Sequence, residues 1–112
     1  MKNLKVSYLL DFYGNLFNAR QREILEMYFQ DDMSLAEIAS VVDMSRQGVY
    51  DNIKRCEKEI LSLESKLNLM GRFYEISAFL DTVDSCISPQ KTISTEDYNK
   101  IKDSLSKIRA II

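Results

Sequence analysis

The sequence has no histidine and no tryptophan, and its 112 residues include only one proline, three glycines and two cysteines. Without histidine, there can be no histidine-based triads, histidine general bases or histidine metal ligands. So little proline and glycine argues against a loop-rich sandwich or barrel. The two cysteines are too few for a metal site, and no glycine-rich phosphate loop is present. We therefore expect no cofactor, no metal and no catalytic residue.

Long apolar runs are also absent, since no run approaches the roughly twenty residues that a membrane-spanning helix needs. Hydrophobic residues make up 46% and charged residues 29% of the chain, which is typical of a globular protein. Together with the scarcity of cysteine, this predicts a cytoplasmic protein. Fifteen basic residues stand against seventeen acidic ones, so the formal net charge is −2. Any binding of nucleic acid must therefore depend on a local basic patch.

The spacing of apolar residues predicts an all-α fold. The first helix covers residues 4–13, and a second helix begins after Asn18, a plausible N-cap. Ser34 and Glu37 have the spacing of a capping box and predict a short third helix. After a break at residues 43–45, a long fourth helix extends to about residue 68. Two more helices follow, and Thr95 or Ser94 caps the last one.

Three of these helices carry narrow apolar seams at alternating spacings of three and four. Such seams predict a helix-turn-helix domain over residues 1–68 and a C-terminal helical hairpin over residues 69–112. The hairpin packs within its own chain or forms a dimerisation segment, and we expect a homodimer. In chain order the seams consist of Val49, Ile53, Cys56, Ile60, Leu63 and Leu67; Phe73, Ile76, Leu80, Val83 and Ile87; and Tyr98, Ile101, Leu105, Ile108 and Ile112.

Two capped helices separated by a three-residue break form the pattern of a helix-turn-helix motif over residues 34–55. Ala39 is expected where these helices cross, because a larger side chain would push them apart. Since Ser45 caps the second helix, the side chains after it lie at the end that reaches base edges or phosphates. The candidate nucleic-acid-binding residues are Ser45, Arg46, Gln47, Tyr50, Lys54 and Arg55.

From residue 18 to about residue 67 the chain resembles the promoter-reading C-terminal domain of sigma factors. It resembles more closely, over nearly its whole length, the YlxM family of small bacterial helix-turn-helix proteins. Residues 9–13, 20–26 and 45–55 carry that resemblance. It implies a non-enzymatic regulatory protein of the signal recognition particle pathway, with the particle's GTPase or its receptor as a partner.

The charge of the predicted recognition helix does not decide whether this helix binds nucleic acid. Tyr50 and Asp51 stand where promoter-reading domains place basic residues, and Asp51 would repel phosphate. Residues 46–58 carry four basic and two acidic side chains, a local sum of only +2. The chain is therefore a regulator that binds DNA or RNA, or a protein-interaction module or adaptor whose motif no longer binds nucleic acid. Arg20 and Arg22 form either a second phosphate-contacting edge or a solvated first helical turn.

Overall fold

The computed structural model describes residues 2–112 and confirms the all-α prediction. Within this part of the chain there are six α-helices and no strand, and a single 3-10 turn, Gly14–Leu16, follows the first helix. None of the six helices is long and apolar enough to cross a membrane. The helices are α1 (Leu4–Tyr13), α2 (Ala19–Phe29), α3 (Leu35–Val42), α4 (Arg46–Leu67), α5 (Leu69–Ser85) and α6 (Thr95–Ile111).

Polar side chains begin most of these helices, because they satisfy amide groups that have no partner within the helix. Asn18 and Ser34 each form a complete capping box, with Gln21 and Glu37 as the reciprocal partners. Ser94 caps α6 by accepting a hydrogen bond of 3.0 Å from the amide of Asp97. The predicted starts of α2, α3 and α6 are therefore confirmed.

Residues in the left-handed conformation mark two helix ends. Asp43 ends α3 with φ 55°, and Asn68 ends α4 with φ 53°. Glycine adopts this conformation at lower cost than other residues, yet no glycine among residues 2–112 has a positive φ. Asn68 is the only residue between α4 and α5.

The chain divides into two compact units, one extending to Asn68 and the other spanning Leu69–Ile112. The first unit has buried apolar side chains on each of α1, α2, α3 and α4. Its buried apolar side chains are Val6, Leu9, Leu10, Tyr13, Phe17, Ile24, Leu25, Met27, Ile38, Val49, Ile53, Cys56 and Ile60.

The buried face of α4 departs from the predicted seam near its C-terminal end. The seam is buried as far as Ile60, but the next buried residue is Glu64. Leu63 is only half-buried, and Leu67 is 44% exposed. A straight helix has 3.6 residues per turn, so a strict seven-residue pattern drifts by about 20° per heptad away from a fixed neighbour. The last two positions of the predicted seam, Leu63 and Leu67, therefore lie outside the set of fully buried residues.

The second unit pairs α5 with α6 and has few buried side chains. Cys86, Ser104 and Ile108 are buried, whereas no residue of α5 is. Ile87 belongs to the predicted seam but lies two residues beyond the end of α5. Large apolar side chains of this unit that are at least about two-fifths exposed are Leu69, Phe73, Tyr74, Leu80, Ile87, Ile93, Tyr98, Leu105 and Ile112.

Candidate nucleic-acid interface

Backbone hydrogen bonds at Ala39 fix the turn between α3 and α4. The amides of Asp43 and Met44 both donate to the carbonyl of Ala39, the second at 3.2 Å. Ser45 then caps α4, because its Oγ accepts a hydrogen bond of 2.9 Å from the amide of Gly48. The break is the predicted one, and each of the two helices has a cap where it meets the turn.

A small apolar cluster holds the two helices of the motif on α2. It contains side chains from all three helices, with Ile24 and Met27 on α2, Ile38 on α3, and Val49 and Ile53 on α4. The half-buried side chains packed against this cluster are Tyr28, Phe29, Met33, Leu35, Ala39, Val42 and Met44.

Gly48 lies inside the first turn of α4, where glycine costs about 1 kcal/mol relative to alanine. A Cβ at this position would lie 3.0 Å from Oγ of Ser45 and 3.5 Å from Cε of Met44. The Ser45 hydroxyl would have to shift slightly to admit it, whereas the distance to Met44 is an ordinary van der Waals contact. Gly48 therefore leaves room for the Ser45 hydroxyl to cap the helix.

All six candidate binding residues are exposed. Gln47, Tyr50 and Lys54 follow one another at spacings of three and four, so they share one face of α4. Arg46 is the first residue of the helix, and Arg55 lies beside Lys54. The structure therefore leaves these side chains exposed from the cap at Ser45 through the first half of α4.

Neighbouring side chains of α4 already contact parts of this face. The Gln47 amide donates a hydrogen bond of 2.9 Å to Oδ1 of Asp51. The Lys54 ammonium lies 3.7 Å from a carboxylate oxygen of Glu57 and 5.7 Å from the centre of the Tyr50 ring. Exposed contacts of this kind are weak, so a ligand can replace them.

Two exposed arginines at the start of α2 contact other residues of the first unit. Arg20 Nη2 donates a hydrogen bond of 2.7 Å to the carbonyl of Val42, in the last turn of α3. Arg22 pairs with Glu26 at 2.8 Å and also donates to the Asn15 side chain. Arg20 thus ties α2 to the end of α3, which reasoning from the sequence missed.

Neither cysteine has the surroundings of a reactive or metal-binding thiol. Burial raises the pKa of the Cys56 thiol, which contacts Oδ1 of Asn52 at 3.6 Å. A raised pKa disfavours the thiolate, the form that reacts and binds metals. Cys86 is buried as well. Among residues 2–112, no group of three or more acidic or cysteine side chains is placed to hold a metal ion.

A tri-helical core, a capped turn and an exposed leading end of α4 define the class of helix-turn-helix proteins. The chain belongs to the UPF0122 family, whose profile, described as "Putative helix-turn-helix protein, YlxM / p13 like", matches residues 1–104. This confirms the family resemblance seen in the sequence, and the match indicates no enzymatic domain.

Proteins of other bacteria match almost the full length of the chain. A UPF0122 protein of Halalkalibacterium halodurans is 39% identical over 107 residues, which cover 96% of each chain. A UPF0122 protein of Clostridium botulinum is 36% identical over 105 residues, or 94% of this chain and 96% of the relative. One of Bacillus thuringiensis is 36% identical over 107 residues, again covering 96% of each chain. Their names state no ligand and no activity.

Proposed function

We propose that this protein is a non-enzymatic regulatory protein that binds duplex DNA through the N-terminal half of α4. The observation that carries the proposal is the exposed face that begins at Ser45 and follows directly from the capped turn. Arg46 and Gln47 stand at its leading end, and their side chains are of the types that pair with the edges of guanine and adenine. The start of a helix also attracts phosphate, because its amides and its dipole are positive there.

Basic side chains continue the face along the helix axis. Lys54 lies eight residues after Arg46, a distance of about 12 Å along an α-helix. Arg55 and Lys58 extend the basic surface further, and all four of these side chains are exposed. Arg46 and Arg55 form no ion pair with any of the residues 2–112. They are therefore available to phosphate without first breaking a salt bridge.

The negative charge of Asp51 sets a limit on affinity. It lies within hydrogen-bond distance of Gln47, on the surface that would face the DNA. Three or four phosphate contacts opposed by one carboxylate give weak binding. The logarithm of the association constant for DNA should fall by about 3 for each tenfold rise in salt concentration. Binding is therefore expected at low ionic strength.

The test is fluorescence anisotropy with a labelled duplex of about 30 base pairs of random sequence in about 25 mM salt. The variant Arg46→Ala with Lys54→Ala should bind at least about tenfold more weakly while keeping its helix content. Lys5→Ala with Lys66→Ala is the matched control, since it removes two exposed charges of the same unit away from the face. Equal losses in the two variants, or no binding by the native protein, would contradict the proposal.

Asp51→Asn gives a test in the opposite direction. It removes the repelling charge, and the amide can still hydrogen-bond to Gln47. We expect the variant to bind the same duplex several-fold more tightly. Unchanged or weaker binding would mean that this face does not meet the DNA.

The second candidate function is a protein-interaction module, and exposed apolar side chains within the motif favour it. Val41 on α3 is 59% exposed, and Tyr50 on α4 is 42% exposed. The resemblance to YlxM proteins suggests the signal recognition particle GTPase or its receptor as the partner. Adding the purified protein to that GTPase, free of nucleic acid, should change its rate of GTP hydrolysis. Val41→Ser with Tyr50→Ser should abolish the change.

A further inference from the structure

The second unit leaves exposed two sets of apolar side chains that are spaced seven residues apart. Leu80 on α5 is 47% exposed, and Ile87, seven residues later and two residues beyond the end of that helix, is 54% exposed. Tyr98, Leu105 and Ile112 repeat the spacing along α6, with exposures between 38% and 89%. Residues seven apart on a helix lie nearly in line, so Tyr98 and Leu105 form one stripe on α6, which Ile112 continues. Leu80 and Ile87 keep the same spacing at the end of α5, and we call all five the stripe side chains.

The other positions of the same seams face inward. Ile76 and Val83 on α5 are half-buried, as is Ile101 on α6, while Ile108 is only 8% exposed. The hairpin thus uses one half of each seam to join α5 to α6. The other half is left for an additional layer of helices.

We propose that this layer is the same hairpin of a second copy, so that two hairpins form an antiparallel four-helix bundle. In such bundles, helices with seams of this spacing pack side by side around a common apolar core. The inference goes beyond the proposed binding of DNA, and its tests need no nucleic acid.

The exposed area agrees with what a stable dimer needs. The exposed parts of the five stripe side chains total on the order of 500 Å² per copy. Standard interfaces bury about 800 Å² per partner, of which about 60% is apolar. The expected apolar share is thus close to the area that these side chains offer. A unit as small as Leu69–Ile112 also commonly depends on association for a sufficient core.

Charge complementarity favours a second copy over a partner whose surface carries charges of only one sign. On α5, Arg72 stands against Glu75, Asp81 and Asp84, so the helix carries −2. On α6, four basic residues against three acidic ones give +1. A two-fold axis can place α5 of each copy against α6 of the other, so that opposite charges meet twice.

Sedimentation equilibrium between about 1 and 100 µM tests the proposal. Each chain has a mass of 13.0 kDa, so the expected species has about twice that mass. Leu80→Glu with Leu105→Glu should raise the dissociation constant of the dimer at least about 100-fold, because charges would enter the apolar core. Circular dichroism should show unchanged helix content, since both side chains are partly exposed in one chain.

The matched control is Leu4→Glu with Leu16→Glu, at two apolar side chains of the first unit that are each 67% exposed. It should leave the dissociation constant within about threefold of the native value. A native mass near 13.0 kDa at every concentration would overturn the proposal. Equal dissociation of both variants would also overturn it.

Neutralising the acidic residues of α5 tests the arrangement of the helices. If α5 faces α6 of the second copy, Asp81→Asn with Asp84→Asn should weaken the dimer several-fold, most clearly at low salt. If α5 faced α5, the same change would relieve repulsion and strengthen the dimer. Strengthening would therefore overturn the proposed pairing.

Discussion

The Tyr13 hydroxyl donates a hydrogen bond of 2.6 Å to Oε1 of Glu64, across 51 positions of the sequence. Tyr13 is the last residue of α1 and is fully buried, while Glu64 lies near the end of α4 and is 9% exposed. A directional contact at this point fixes how far α1 is displaced along α4, which apolar packing alone does less sharply.

Tyr13→Phe should lower the free energy of unfolding by about 1–3 kcal/mol, because it removes a donor from a buried carboxyl oxygen. Urea unfolding followed by circular dichroism measures this change. Tyr8→Phe is the matched control, since Tyr8 lies on the same helix but is 50% exposed. If both variants lose the same small amount, the contact does not stabilise the native fold.

Ala39→Leu should destabilise the first unit, because the added carbons meet the cluster formed by α2, α3 and α4. Overpacking of this kind typically costs about 1–3 kcal/mol. Thermal unfolding should show a lower midpoint than for Ala36→Leu, which adds the same group at an exposed position of α3. Equal midpoints would contradict the close crossing at Ala39.

Because of the capping box of α3, the stability of the protein should decrease at acid pH. Hydrogen bonds from the Ser34 backbone and side chain hold the pKa of Glu37 below its ordinary value of 4.5. The ionised carboxylate therefore adds its full share to the free energy of unfolding above about pH 4.5. That share is lost as the pH falls through the lowered pKa.

The matched variant is Glu37→Gln, which keeps the capping geometry without an ionisable group. The stability of the native protein relative to this variant should fall between about pH 5 and pH 3. Urea unfolding of both proteins across this range measures the difference. A difference that does not vary with pH would mean that the ionised Glu37 adds nothing.

Asp43→Gly should stabilise the protein by about 0.5–1 kcal/mol. Asp43 has φ 55°, a conformation that glycine adopts without steric cost. The change also removes a negative charge from the C-terminal end of α3, where the helix dipole disfavours it. Asp43→Ala is the control, and it should be less stable than Asp43→Gly. The reverse order of melting temperatures would contradict this explanation.

Local signals in the sequence were sufficient to predict the helices and their order. The first helix, the Ser34–Glu37 capping box and the cap at Ser45 all depend on residues within four positions of one another. Interactions of that range leave a spacing that can be recognised without knowing the tertiary structure. The break between α3 and α4 was predicted for the same reason.

Contacts between distant residues could not be predicted in this way. Arg20 and Val42 are 22 positions apart, and no spacing relates an arginine to a particular backbone carbonyl. The burial of Glu64 in place of Leu63 depends on the partner of Tyr13 and on the drift of a 3.6-residue helix. A pattern of apolar residues contains neither piece of information.

For the candidate interface, the sequence predicted which side chains follow the cap, and the structure shows them exposed. It did not predict that Gln47 contacts Asp51, because the rotamers of exposed side chains leave no pattern in the sequence. Nor does a helix-turn-helix fold determine what its exposed face binds, since one fold serves many functions.

The left-handed ends of α3 and α4 bear on how this protein can evolve. Asp43 and Asn68 hold positions that glycine would occupy at lower cost, so the native sequence is not at its stability optimum there. Substitutions at Asp51 or its neighbours that alter what the face binds can also lower the stability of the fold. A glycine at either of the two helix ends would compensate for that loss. Such compensation lets a binding surface diverge while the scaffold beneath it stays folded.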